Sequence, residues 1–236
     1  MNIERIMSPN FNQGRRGQVP DMIVCHITDG TMASAVNHLS NPASQVSAHY
    51  VVGRDGRIVQ MVELTDTAWA NGTSGTTTSN VWHGNAAHPT VRERNINANL
   101  YTISIEHEGR WSETQGALTA AQLDATTQLI THIRAEVKRL FNLEIPIART
   151  HLIGHNEIAP RVRPNCPGAR FPFTEILQRL AQPPAPAPAP NQPSNFAREA
   201  WEWGIAANLT DGTNPQNNAT REQLITILHR FYKMGA

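Results

Sequence analysis

The chain has little cysteine, almost no net charge and no long apolar run among its 236 residues. With two cysteines, Cys25 and Cys166, it is no disulfide-stapled scaffold. In a chain expected to stay in a reducing compartment, sparse cysteines are thiols or metal ligands sooner than bridge partners. Lys and Arg number 20 against 19 Asp and Glu, so the formal charge of +1 creates no field that would gather a polyanion, which excludes nucleic acid as the expected partner. No stretch approaches the roughly 18 apolar residues of a membrane span, so no membrane insertion is expected. The first residues lack a basic region followed by an apolar one, so the chain is expected to be made in the cytoplasm without a signal peptide. What remains is ample for a globular core: 39% of residues are hydrophobic, and 15 Gly and 16 Pro are too few for a collagen-like or wholly disordered chain.

Proline is concentrated in one place. Half of residues 182–193 are proline, alternating with alanine, a composition that favours extended polyproline II and would separate two bodies by roughly 35 Å. The expected organisation is therefore a domain over 1–181, a Pro/Ala-rich linker over 182–193 and a small helical module over 194–236. Within the first part, residues 22–27 (MIVCHI) form an apolar run of strand length. Residues 48–62 read as a hairpin turning on Asp55 and Gly56, and residues 101–108 alternate with period two. A long helix is predicted over 118–142, opened by a capping box of Thr119 and Gln122 and striped by Leu123, Ile130, Ile133, Val137 and Leu140. The expected fold class is α/β, a central mixed β-sheet flanked by helices. Residues 70–99, rich in Gly, Thr, Ser and Asn without periodicity, read as a long surface loop beside the site. In the small module, helices are expected over 196–208 and 220–234, the second opened by a capping box of Thr220 and Gln223 and burying Leu224, Ile227, Leu228 and Phe231. A module of about 43 residues is near the lower limit for folding alone, which points to a partner, a second copy or an extended surface as its support.

Three side chains suit a borderline cation: His26 near the end of a buried strand, His155 in HNEIAP, and Cys166 in PNCPG. Two imidazoles and one thiolate, with a fourth position left open, are the donor set of a catalytic rather than a structural zinc. Strand alternation sends Cys25 to the face opposite His26, where it serves as a small buried hydrophobe.

The segments IVCHIT (23–28), VSAHYVVGRDG (46–56), DTAWA (66–70), ISIE (103–106) and HNEIAP (155–160), followed by CPG (166–168), occur in the order found in the type 2 N-acetylmuramoyl-L-alanine amidases. Over residues 20–180 the chain resembles that family, which includes phage lysozyme-type endolysins and is related to peptidoglycan recognition proteins. The resemblance implies that Zn2+ is held by His26, His155 and Cys166, with Glu106 helping to activate water. It implies hydrolysis of the amide between N-acetylmuramic acid and L-alanine of the stem peptide in bacterial peptidoglycan. The rival readings are a non-catalytic peptidoglycan-binding protein of the same fold and a host autolysin. The expected setting is a phage or prophage endolysin, released to the wall through a holin-type pore.

The chain departs from the family at Pro164, where many relatives carry Lys or Thr, so Arg163 or Arg161 is left to stabilise the oxyanion; Arg163 is the candidate. A family tyrosine aligns with Ala48, and Tyr50 is given no catalytic role. Glu108, on the same strand face as Glu106, is the competing base. His151 reads as a surface or supporting residue. Trp69, Asn71 and His49 are the expected substrate contacts, and Trp111 is expected to pack where the strand leads into the long helix. The other histidines, His38 among them, take the default solvent or core reading. Residues 201–223 resemble one S-layer homology repeat, which implies docking on a secondary wall polymer or a homodimer that supplies avidity.

Overall fold

The computed structural model describes residues 1–182, 192–194, 197–207, 209, 210, 212, 215 and 221–234. The chain divides into two compact units, Met1–Gln182 and Pro183–Ala236. Its strands are β1 (Ile3–Arg5), β2 (Phe11–Asn12), β3 (Met22–Ile27), β4 (Tyr50–Val52), β5 (Ile58–Gln60), β6 (Thr67–Ala68), β7 (Thr102–His107) and β8 (Leu152–Gly154). The helices are α1 (Met32–Leu39), α2 (Pro89–Arg94), α3 (Trp111–Thr114), α4 (Ala120–Phe141), α5 (His155–Ile158), α6 (Phe173–Ala181), α7 (Arg198–Ala206) and α8 (Arg221–Met234).

Six strands form one mixed sheet in the order β1-β5-β4-β7-β3-β8, while β2 and β6 make a separate antiparallel ribbon. Within the large sheet only β4 and β5 pair antiparallel, because the tight turn at Gly53–Gly56 joins them; all other neighbours are parallel. Gly56, at φ +86°, supplies the left-handed residue of that turn, and the Gly53 and Arg57 backbones close it.

Alternation along the strands sorts the two faces. Ile23 and Cys25 of β3 and Ile103 and Ile105 of β7 point to one side, where they pack with Leu123, Leu129, Ile133 and Val137 of α4 and Ile176 of α6. Met22 and Val24 point to the other, where they meet Ala86, Val91, Ala98, Tyr101 and Ile153. A third cluster joins Met32, Val36 and Leu39 of α1 to Val51, Val59 and Met61. Helix α4 opens on the expected capping box, with the Thr119 hydroxyl accepting from Gln122 N and the Gln122 side chain accepting from Thr119 N. Its buried stripe ends differently from expectation. Leu140 is exposed, and Phe141, four residues beyond Val137, turns toward the core in its place.

Segment 70–99 is not a bare surface loop. It holds α2, started by Pro89 in the first helical turn, and it buries Ala86, Val91 and Ala98 against the sheet. In the second unit, α7 and α8 stand where helices were expected, but Leu224, Ile227, Leu228 and Phe231 are exposed rather than buried. Among the described residues of that unit nothing covers this face. Trp203 is exposed and Trp201 half-buried, as two positions apart on a helix requires. Residues 183–191 of the proline segment, and Thr220 of the expected capping box, lie outside the described residues. No described helix is long and apolar enough to cross a membrane.

Candidate metal centre

The site is assembled by the register of three parallel strands. His26 on β3 pairs with Glu106 on β7, and Cys25 pairs with Gly154 at the end of β8, so His155 enters at the level of His26 from the other side. All three side chains therefore stand near the carboxyl ends of neighbouring parallel strands, where open α/β sheets place their ligand crevices. Because β3 turns Cys25 into the α4 core, His26 projects from the opposite face, as alternation predicted.

His155 opens α5, and the start of that helix is pinned by Glu157, whose carboxylate accepts from Gly154 N at 2.7 Å and from Arg149 Nη2 at 2.6 Å. Cys166 arrives on the following loop. Its carbonyl accepts from Asn156 N at 2.7 Å, which ties the loop back to α5. Next to it the backbone of Gly168 passes so close to Gln115 that a Cβ would lie 2.2 Å from the Gln115 carbonyl oxygen. Only glycine fits that crossing.

The result is a cluster in which one donor atom each from His26, His155 and Cys166 lies within 4.8 Å of the others. Cys166 Sγ is 3.8 Å from His26 Nδ1, and Glu106 Oε1 is also 3.8 Å from that nitrogen. A tetrahedral ion with ordinary zinc–nitrogen and zinc–sulfur bonds would hold such a donor pair about 3.6 Å apart. The cluster therefore has the chemistry and the dimensions to hold one divalent ion. Both cysteines are free thiols, Cys25 deep in the core and Cys166 half-buried at the site.

Burial sets the protonation of every group here. It drives the His26 imidazole well below its usual range and lowers His155 to about 4, the Arg163 cation adding to both effects, so both rings are neutral donors at physiological pH. Burial and the Glu106 carboxylate push the Cys166 thiol up to about 12. Only a nearby cation would make it a thiolate at neutral pH. Burial likewise raises Glu106 to about 7, against the opposing pull of Arg163, and leaves its Oε2 without a hydrogen-bond partner. A carboxyl poised near neutrality can take and return a proton.

The cluster lies in a groove of about 720 Å³. Trp69, Arg163 and Glu106, three of the residues expected at the site, line it. Arg163 rather than Arg161 reaches it. His49 and Asn71 do not: each is 1% exposed, so neither is placed as a substrate contact. The His49 ring is taken up by Arg15 and Ser104, and Asn71 is held by Asn99 and Thr102. Glu108 is also elsewhere, accepting from Arg54 N at 2.7 Å. Trp111 does not pack inward but is 39% exposed on the groove wall, because the Asp29 carboxylate caps the start of α3 and holds it there. The sequence reading also missed Asp29, His38 and Asn165 as lining residues. The Thr31 cap before MASAVNHL was the available signal for α1, the helix that carries His38 into the wall.

Residues 16–169 match the family described as N-acetylmuramoyl-L-alanine amidase. The chain is 32% identical over 135 residues to N-acetylmuramoyl-L-alanine amidase A of Achromobacter lyticus; the match takes in 56% of this chain and 62% of that protein, so the chain spans less than two thirds of this curated relative. Among solved structures it resembles a selenomethionine derivative of AmpD, with TM-score 0.50 and 21% identity over 75% of this chain and 94% of that one. It also resembles PlyL, with TM-score 0.51 and 17% identity over 77% of this chain and 98% of that one. At these identities the structural likeness speaks for the fold.

Proposed function

The chain belongs to the N-acetylmuramoyl-L-alanine amidase family, and from that premise we propose that its first unit is a zinc-dependent peptidoglycan hydrolase cutting the amide between N-acetylmuramic acid and L-alanine of the stem peptide. The observation that carries this reading is the meeting of His26, His155 and Cys166 beside the Glu106 carboxyl in one groove. These three residues would hold the ion. Zinc bound there would supply Lewis acidity, polarising the scissile carbonyl and bringing the ionisation of water toward neutral pH.

The remaining work falls to side chains of the chain itself. Glu106, with one carboxylate oxygen unpartnered, accepts the proton of the attacking water and delivers it to the departing amine of L-alanine. Arg163 faces the cluster from the solvent side, its charge felt by Glu106, His26, His155 and Cys166 alike, and it balances the negative charge that develops on the carbonyl oxygen. Trp69 and Trp111, both on the groove walls, offer flat apolar surfaces to sugar or peptide. In this reading the protein serves as a wall-dissolving endolysin, and residues 194–236 hold it on the wall.

The test is zinc-loaded protein on purified peptidoglycan, reading new L-alanine amino termini and fragment masses. The reading requires one new amino terminus for each lactyl carboxylate freed. Binding without release would make the chain a recognition protein, and fragments cut within the peptide would make it a different hydrolase. Removing residues 182–236 should cost wall adhesion while hydrolysis of soluble fragments persists.

A further inference from the structure

Outside the groove lining lies a buried amide for which the proposed chemistry has given no use. Asn71 is 1% exposed, and its backbone N–H donates to Asn99 Oδ1. Its Nδ2 donates to Thr102 Oγ1 at 3.0 Å, while the Thr102 hydroxyl donates onward to the Ala98 carbonyl at 2.7 Å. That second bond consumes the only hydroxyl proton of Thr102, so toward Asn71 it can act only as acceptor. The carboxamide is thereby oriented: its NH2 must face Thr102, and its Oδ1 must face away.

Among the described residues no well-formed hydrogen bond reaches Oδ1 of Asn71 or Nε2 of His26, both of them buried. Buried polar atoms are rarely left unpaired, and the Asn71 side chain is a hydrogen-bonding neighbour of the His26 ring. The Asn71 amide acts on the His26 ring as a hydrogen-bond acceptor does, favouring a ring N–H. The other ring nitrogen, Nδ1, is the one that faces Cys166 and Glu106.

We infer that Asn71 is a positioning residue: its Oδ1 accepts the Nε2 proton of His26, which holds the ring in the Nε2–H tautomer and leaves the Nδ1 lone pair directed at the cation. Thr102 and Ala98 complete a relay that fixes the amide, so the orientation of the imidazole is set from the sheet outward. Supporting contacts of this kind change metal affinity by about 10- to 100-fold. The inference rests on the metal-centre reading above.

The experiment uses the full chain as wild type, Asn71→Ala and Asn71→Asp. Long-range proton–nitrogen correlation spectra of chelator-treated, histidine-labelled protein report the tautomer of each ring, and His26→Gln identifies the His26 signal. Competition with a chromophoric chelator reports zinc affinity. The wild type should show His26 as the Nε2–H tautomer. Asn71→Ala should lose that preference and bind zinc about 10- to 100-fold more weakly, and Asn71→Asp, which keeps an acceptor in place, should recover most of the affinity. An Nδ1–H ring in the wild type overturns the inference even if Asn71→Ala fails to fold, and so does unchanged affinity in a folded Asn71→Ala. A wild type that binds no zinc overturns the metal-centre reading instead, a result the wild-type titration separates from the other two.

Discussion

Replacing Glu106 by glutamine should move activity and stability in opposite directions. The side chain is 19% exposed beside His26, and burial lifts its carboxyl from the ordinary 4.5 to about 7. That displacement corresponds to roughly 3 kcal/mol, trimmed to about 2–3 kcal/mol by the solvent that still reaches the group. The folded chain holds this proton more tightly than the unfolded one. Below pH 4.5 both states carry it and nothing is lost; between 4.5 and 7 the unfolded chain alone gives it up, so stability falls with rising pH until the folded carboxyl also ionises near 7. Glutamine has no proton to lose. In chelator-treated protein at pH 8, urea denaturation should therefore show Glu106→Gln more stable than wild type by about 2–3 kcal/mol, with the difference vanishing near pH 4. In zinc-loaded protein the same substitution should retain the metal and lower kcat by about 10²- to 10⁴-fold, the usual worth of a general base. An active variant would refute the assignment. Glu108 would be no simple substitute, since it is bound to Arg54 N outside the groove. A variant no more stable than wild type at pH 8 would refute the electrostatic argument.

Three further outcomes follow from the same geometry. Arg163→Ala should lower kcat on a soluble muropeptide by about 10²- to 10³-fold with little change in stability, because the side chain is exposed, and Arg163→Lys should recover part of the loss; an effect confined to KM would contradict the role in charge stabilisation. Gly168→Ala forces a methyl group against the Gln115 backbone at a φ of +119°, so it should cost at least about 1–3 kcal/mol in urea denaturation and weaken zinc binding by displacing Cys166. An unchanged midpoint would contradict the close crossing. His107 is buried between the His26 carbonyl and Thr126, and burial keeps it neutral down to about 4. Its unfolded counterpart gains a proton near pH 6.5, so between those values stability should fall by about 1.4 kcal/mol for each pH unit of acidification, and His107→Gln should reduce the slope by one proton. Equal slopes in the two proteins would show that the ring titrates alike folded and unfolded.

The parts of the fold that sequence made plain are those whose signals are local. MIVCHI is a continuous apolar run, and it forms β3 over those same residues. The capping box of Thr119 and Gln122 starts α4, and Asp55-Gly56 turns the hairpin. What escaped depends on distant partners. Strands β1 and β8 have three residues each, too few to show a period, and they exist because β5 and β3 offer them parallel edges. The same holds for the site. His26, His155, Cys166 and Glu106 were legible because their residue types match a chemistry and a motif order. Whether Asn71, His49 or Trp111 faced the groove was decided by which side chains their neighbours had already claimed, and no spacing rule encodes that. The exposed apolar stripe of α8 is the converse case: its period predicted a helix correctly but not the burial of its face.

The central claim is that two imidazoles and one thiolate share a single zinc ion. X-ray absorption at the zinc edge of the loaded full chain tests it most directly. One sulfur neighbour at about 2.3 Å and two imidazole nitrogens at about 2.0–2.1 Å are expected, with the sulfur signal gone in Cys166→Ser. A first shell of nitrogen and oxygen only in the wild type, or a zinc signal unaltered in Cys166→Ser, would contradict it.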